Sequence, residues 1–107
     1  MAIVRFVFAA LKPGVSAADY ERFEREVDYV VAGRLKTIVS YRTHRITETG
    51  SGLQGGPWDY IERIEVTDRS AYEAELATAG KELIDELYDK YLDRSKTVSV
   101  WSERIEP

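Results

Sequence analysis

Four runs that alternate side chains at a period of two, interleaved with two stretches at a period near 3.6, leave 107 residues few ways to fold. The first run is apolar, is broken by Arg5 and stops at the turn Lys12-Pro13-Gly14. That is far short of the roughly 20 apolar residues a membrane-spanning helix needs. It also lacks a basic segment ahead of it, so it reads as a strand and not as a signal sequence. Ser16, with Asp19 three residues on, starts a helix in the manner of a capping box, and Val15 and Tyr20 supply a hydrophobic staple. Tyr20, Phe23, Val27, Val30 and Val31 then share one helical stripe over residues 17 to about 35, with Gly33 near its end.

A second strand spans residues 37–47, and residues 48–57, with Gly50, Gly52, Gly55 and Gly56, form a loop suited to a lid role. The third strand runs over residues 58–66. Ser70 and Glu73 make another capping box, after which Leu76, Ala79, Leu83, Ile84, Leu87, Tyr88 and Tyr91 recur at helical spacing, with Gly80 able to kink or split the helix. Residues 97–104 are the last strand. The order β-α-β-β-α-β, with helices long enough to cross back over a sheet, is the α+β ferredoxin-like plan. Bulky groups on both sides of the strands leave a second face that needs cover. A twofold homodimer packing two sheets together, the dimeric α/β barrel, provides it, with Trp101 helping to fill the contact.

At this length the chain is one domain with a modest core, for which help from a partner subunit is expected. A net charge of -4 and the absence of a basic cluster argue against nucleic acid or an anionic membrane as partner. Without cysteine there is no thiolate nucleophile or zinc-thiolate site, which suits the cytoplasm. The glycine-rich loop lacks the lysine and the strand-loop-helix context of a phosphate cradle. No serine has the elbow of a hydrolase triad.

The chemistry-bearing residues cluster on the first helix and the central hairpin. Alternation puts Ser40, Arg42, His44 and Ile46 on one side of the second strand, and Tyr60, Glu62 and Ile64 on one side of the third. Glu24 and Asp28 line one edge of the first helix, a turn apart. If that helix packs over the second strand, His44 meets Glu24 and Asp28, and Glu62 approaches from the neighbouring strand. Imidazole plus carboxylates suits a divalent ion, Mn²⁺, Fe²⁺, Co²⁺, Ni²⁺ or Zn²⁺. Glu62 and Tyr60 are then candidates for proton transfer, and Arg42 for charge balance or a substrate carboxylate. Tyr29, Phe23 and Trp58 are candidate walls for a flat aromatic ligand. The plainer alternative for Glu24 and Asp28 is an exposed helix surface paired with Arg22 and Arg25, for Glu62 an ion pair with Arg42, and for the aromatics ordinary core.

Residues 7–15 (VFAALKPGV), 20–29 (YERFEREVDY), 40–45 (SYRTHR) and 58–62 (WDYIE) resemble, in order and spacing across most of the chain, the RedY/HapK-like proteins. The chain departs from that pattern at Val30, where the family carries proline, which predicts an unbroken first helix. The resemblance implies a dimeric α/β barrel and a place in the bacterial biosynthesis of prodiginines and related bipyrrole or bisindole alkaloids. It further implies a metal-dependent cyclase acting on a small aromatic alkaloid. Two other readings stay open: a cofactor-independent monooxygenase of the same barrel type, and a noncatalytic protein that shelters a pigment precursor.

Overall fold

The computed structural model describes residues 2–50 and 56–107. Strands β1 (Ile3–Ala9), β2 (Ile38–Arg45), β3 (Tyr60–Val66) and β4 (Val98–Glu103) form one sheet in the order β2-β3-β1-β4, every neighbour antiparallel. This is the ferredoxin-like arrangement, in which each helical connection crosses one face of the sheet and none covers the other. The helical layer buries Ala9, Tyr20, Phe23, Tyr60, Leu83, Leu87 and Leu92 at one end and Val7, Ala32, Tyr41, Ile64, Val66 and Tyr72 at the other. Among the described residues no helix is long and apolar enough to cross a membrane.

The first helical region starts where expected, with Ser16 Oγ accepting from the Asp19 amide at 3.1 Å. Gly14 makes the preceding turn at φ +85°, a left-handed backbone that side chains disfavour. The helix is not uniform, however. Ordinary α-helix, α1 (Ala17–Phe23), gives way to a π-helical stretch over Glu24–Asp28 before α2 (Tyr29–Ala32), with the Tyr29 amide reaching back five residues to the Glu24 carbonyl. A wide turn of this kind changes which residues face the sheet and is often found at functional positions.

The second region also differs from expectation. Asp68, not Ser70, caps α3 (Arg69–Leu76) by accepting from the Ala71 amide at 2.8 Å. Gly80 splits the expected helix, capping α4 (Lys81–Lys90) from a position where a Cβ would lie 3.0 Å from Leu76 Cδ2 and 3.2 Å from Leu76 Cα. The expected lid lies largely outside the described residues, since 51–55 are not among them.

Strand parity then assigns the faces. Arg5, Val7 and Ala9, Tyr41 and Thr43, Tyr60, Glu62 and Ile64, and Ser99 and Trp101 point to the helices, while Phe6, Phe8, Arg42, His44, Ile61, Val98 and Val100 point away. Trp101 therefore does not fill the outer face: it meets Tyr72 edge-on at 5.7 Å and carries the Arg69 guanidinium 4.9 Å from its ring centre. The outer face still exposes apolar area, with Val98 and Val100 each about half exposed.

Candidate functional site

Three carboxylates are buried under the helical layer: Glu24 (3% exposed), Asp28 (5%) and Glu62 (4%). The π-helical stretch supplies the first two and the middle of β3 the third, and one oxygen from each lies within 4.8 Å of the others. The plainer readings of these residues fall away, because Asp19 takes Arg22 and Glu21 takes Arg25, while Arg42 leaves the opposite face of the sheet from Glu62.

Two phenols and a threonine complete the cluster. Tyr20 donates to Glu62 Oε2 at 2.9 Å, and Thr43 Oγ1 donates to Glu24 Oε1 at 2.6 Å. Tyr41 Oη lies 2.6 Å from Glu24 Oε1 and 2.9 Å from Asp28 Oδ2. A phenol has one proton, so it can donate to only one of them. Both contacts are satisfied when Asp28 carries a proton, donating it to Tyr41, which donates in turn to Glu24. Glu24 Oε2, although buried, has no hydrogen-bond partner among the described residues.

The electrostatics agree with this proton count. Burial, then the neighbouring Glu24 carboxylate, holds Asp28 far above the ordinary carboxylate range, and burial followed by repulsion from Glu24 raises Glu62 as well. Burial and the surrounding acids drive the Tyr20 and Tyr41 phenols upward. Three acids in a low-dielectric pocket need bound protons or a cation to offset the desolvation. No basic side chain forms an ion pair with any of them among the described residues. An ion held by oxygens at 2.0–2.6 Å sets its ligands roughly 3 to 5 Å apart, which the cluster matches. The partnerless Glu24 oxygen is a free ligand position of the required kind.

His44 is not part of this cluster. It is exposed, pairs across the strands with Ile61 and by parity leaves the outer face; it lines the cleft at the β2 edge that Glu24 also touches, but it is not one of the residues whose ligand atoms come together with Glu24 and Asp28. Its inward neighbour Thr43 takes the position opposite Glu62. Arg42 is likewise on the outer side, exposed, with Nη1 donating to the Tyr41 carbonyl at 2.7 Å. Tyr60 faces inward, but its hydroxyl donates to Glu21 at 2.6 Å. Glu21 is lowered to about 2 by hydrogen bonds from Arg45 and then Tyr60, and Tyr60 is raised to about 12 by burial and that same bond. The phenols at the carboxylates are Tyr20 and Tyr41, which the strand and helix patterns place there in retrospect. Tyr20, Glu24 and Asp28 are successive i, i+4 neighbours, and Tyr41 and Thr43 occupy the β2 parity opposite Arg42 and His44.

The expected aromatic walls separate as well. Tyr29 packs on Tyr41 at 5.1 Å and accepts from the Thr43 amide at 2.7 Å, lining a cleft of about 460 Å³ beside Glu24 at the β2 edge. Phe23 is core, 4.6 Å from the Tyr91 ring. Trp58 donates to the Lys96 carbonyl at 2.9 Å and packs on Phe8, away from the carboxylates. Asp28 and Glu62 instead open on an inner cavity of about 200 Å³ between sheet and helices. Its walls include Val7, Leu83, Ile84, Leu87 and Tyr88. Arg5, Tyr72, Leu76 and Ile84 also line an outer groove of about 470 Å³ that adjoins this cavity and reaches Trp101 of β4.

Residues 3–105 match the model of the REDY-like protein HapK. The chain belongs to the REDY-like HapK family. HapK from Hahella chejuensis superposes with a TM-score of 0.77 at 20% identity, covering 98% of this chain and 94% of that one. An Arabidopsis thaliana protein gives a TM-score of 0.78 at 15% identity, covering 98% and 97%. A dimeric ferredoxin-like protein of unknown function from Jannaschia sp. CCS1 gives 0.74 at 14% identity, covering 97% and 100%. At these identities the superpositions establish the fold of this HapK-family chain and nothing finer. No curated protein matches it.

Proposed function

We propose that this HapK-family protein is a metal-dependent cyclase that closes a carbon-carbon bond on a bisindole or bipyrrole alkaloid intermediate. The observation that carries the reading is the trio Glu24, Asp28 and Glu62, buried together, with one Glu24 oxygen that has no hydrogen-bond partner among the described residues. With His44 outside, the donor set is all oxygen. That favours Mn²⁺ or Mg²⁺ over the nitrogen-seeking Zn²⁺, Ni²⁺ and Co²⁺.

Glu24, Asp28 and Glu62 would hold the ion, whose contribution is Lewis-acid polarisation of a substrate oxygen or nitrogen. The protein does the rest. Tyr20 and Thr43 orient Glu62 and Glu24 through the bonds described above, and the apolar cavity walls exclude water from an electron-rich ring that would otherwise be protonated or oxidised. When a ring carbon attacks a carbon doubly bonded to that substrate oxygen or nitrogen, the π pair of the double bond would move onto the heteroatom, and aromaticity would return once the attacking ring carbon loses its proton. The acceptor of that proton would be a carboxylate oxygen of the cluster that the ion leaves free, facing the same cavity from Glu62 or Asp28.

The active species in this reading is a homodimer. Phe6, Phe8, Val98 and Val100 on the uncovered sheet face form a self-complementary apolar strip, and similar folds include proteins described as dimeric. The test begins with Mn²⁺ titration of the chelator-treated protein followed by electron paramagnetic resonance. Micromolar binding lost in Glu62→Gln, with turnover of a synthetic bisindole or bipyrrole panel dependent on the ion, supports the reading. Absence of binding at pH 8, or turnover unaffected by chelation, overturns it.

A further inference from the structure

Arg5 and Arg94 both line the inner cavity that holds Asp28 and Glu62, and neither has an ion-pair partner among the described residues. Arg5 reaches in from β1, on the sheet face under the helices. Its Nη1 donates to the Tyr72 hydroxyl at 3.1 Å, its Nη2 makes only a long contact to Ser99 Oγ at 3.3 Å, and its buried Nε has no acceptor among the described residues. Arg94, exposed in the loop after α4, has its guanidinium carbon over the Tyr88 ring, 4.1 Å from the ring centre. Tyr88 and Glu62 line the same cavity as the two arginines.

The cavity thus brings together two acids, two guanidinium groups without ion-pair partners among the described residues, and aliphatic walls. A guanidinium with free donors recognises a planar oxyanion by paired hydrogen bonds, and stacking on an aromatic ring fixes its orientation in advance. We infer that the inner cavity takes an aromatic ligand by a carboxylate, which Arg5 and Arg94 bind, so that the ring is directed toward Asp28 and Glu62. A volume of about 200 Å³ admits one bicyclic ring with a short acidic arm, and a second ring extends into the outer groove past Tyr72 and Leu76. The inference rests on the reading of this cavity as the substrate site, and it names the substrate class as carboxylated indoles or pyrroles.

Indole-3-acetate, 3-methylindole and tryptamine share a ring and differ in the charge of the arm, so they are the probes. Calorimetric titration of the full chain is done with chelator present and again with Mn²⁺ bound. The expected result is that indole-3-acetate binds at least tenfold more tightly than either analogue in both conditions. Arg94→Gln, a change at an exposed side chain, narrows that preference about fivefold and leaves Mn²⁺ affinity unchanged. Arg5→Gln abolishes the preference if the variant folds, and Arg94→Gln decides the matter if it does not. Equal binding of the three probes overturns the inference, as does a preference untouched by Arg94→Gln. A preference seen only with Mn²⁺ and insensitive to both arginines also overturns it, because the carboxylate is then bound by the metal. Failure of the protein to bind Mn²⁺ while the arginine-dependent preference persists would defeat the cyclase reading and leave the anion site standing.

Discussion

The two faces of the sheet carry similar residue types and do opposite things with them. On the helix side, Tyr41, Thr43 and Glu62 are enclosed, and each polar atom acts on a neighbour at hydrogen-bond distance. On the outer side, Arg42, His44 and Arg63 stand among Phe6, Phe8 and Ile61, where charge is solvated and apolar area awaits a partner. One step along a strand separates the two environments. Thr43 lies opposite Glu62 and His44 opposite Ile61, so a single-residue change of parity exchanges a buried acidic centre for a surface imidazole. Helix cover, and not residue type, decides which groups have perturbed chemistry.

The sharpest way to break that comparison is to remove an inner carboxylate. Glu24→Gln or Glu62→Gln is expected to weaken Mn²⁺ binding at least about 100-fold, as losing one of three protein ligands does, checked by paramagnetic resonance. Asp28→Asn keeps a donor toward Tyr41 without the cost of holding a carboxyl protonated at neutral pH, so it should raise the melting temperature of the metal-free protein while lowering activity, a trade expected where function stores an unfavourable group. Next in size is the effect of pH. Asp28 and Glu62 have folded-state pKa values above those of the unfolded chain, so the folded protein retains protons that the unfolded chain releases. Their contribution to stability is full below about pH 4 and is lost as pH rises through the raised values. The melting temperature of metal-free protein should fall between about pH 5 and 9, and Mn²⁺ should raise it most at the alkaline end, with proton release on binding measured by calorimetry in buffers of different ionisation heat. A flat profile would mean that the acids are not desolvated as the geometry has them.

Much of this was legible in the chain and some of it was not, for identifiable reasons. The element order, the Ser16 cap and the edge formed by Glu24 and Asp28 follow from periodicity, and so does the separation of His44 from Tyr41 and Thr43. Periodicity does not say which face the helices cover when both are bulky, as with Phe6 and Phe8 on one side and Val7 and Ala9 on the other. Placing His44 on the covered side puts Tyr41 on the open one, the reverse of what the structure has. The π-helical stretch was equally hidden, because a wide turn is a product of packing, and Val30 in place of proline pointed to a continuous α-helix. Tyr60 was inward as its parity implies. Its partner, Glu21, lies on a different helical turn from Glu24, a distinction a helical wheel draws too coarsely.

The outer face supplies a prediction of intermediate size. Val100, about half exposed, sits across from Phe6. Val100→Asp places a charge in the centre of the apolar strip and should raise the dimer dissociation constant tenfold or more, about 1.4 kcal/mol at least, read by light scattering over a dilution series. A chain that is monomeric before the substitution would sink the dimer and leave the inner centre untouched. Tyr41→Phe comes next: it removes the proton that ties Glu24 to Asp28 and should cost about 1–3 kcal/mol of stability in metal-free protein. Less should be lost once Mn²⁺ satisfies the same oxygens.

The smallest expected effect is the most telling, because it concerns the side chain that sequence reasoning alone places at the centre. His44→Ala should change Mn²⁺ affinity less than about twofold, since the imidazole is exposed on the face opposite the carboxylates and surface substitutions away from special contacts have small effects. Thr43→Val, one residue away, is the matched control. It deletes the hydroxyl that donates to Glu24 at 2.6 Å and should weaken Mn²⁺ binding several-fold, acting through the ligand it orients. The pair tests strand parity directly, because neighbours in sequence are predicted to differ only through the face they occupy. An affinity loss in His44→Ala equal to or larger than that in Thr43→Val would mean that the imidazole reaches the ion, and the assignment of faces to β2 would then be reversed.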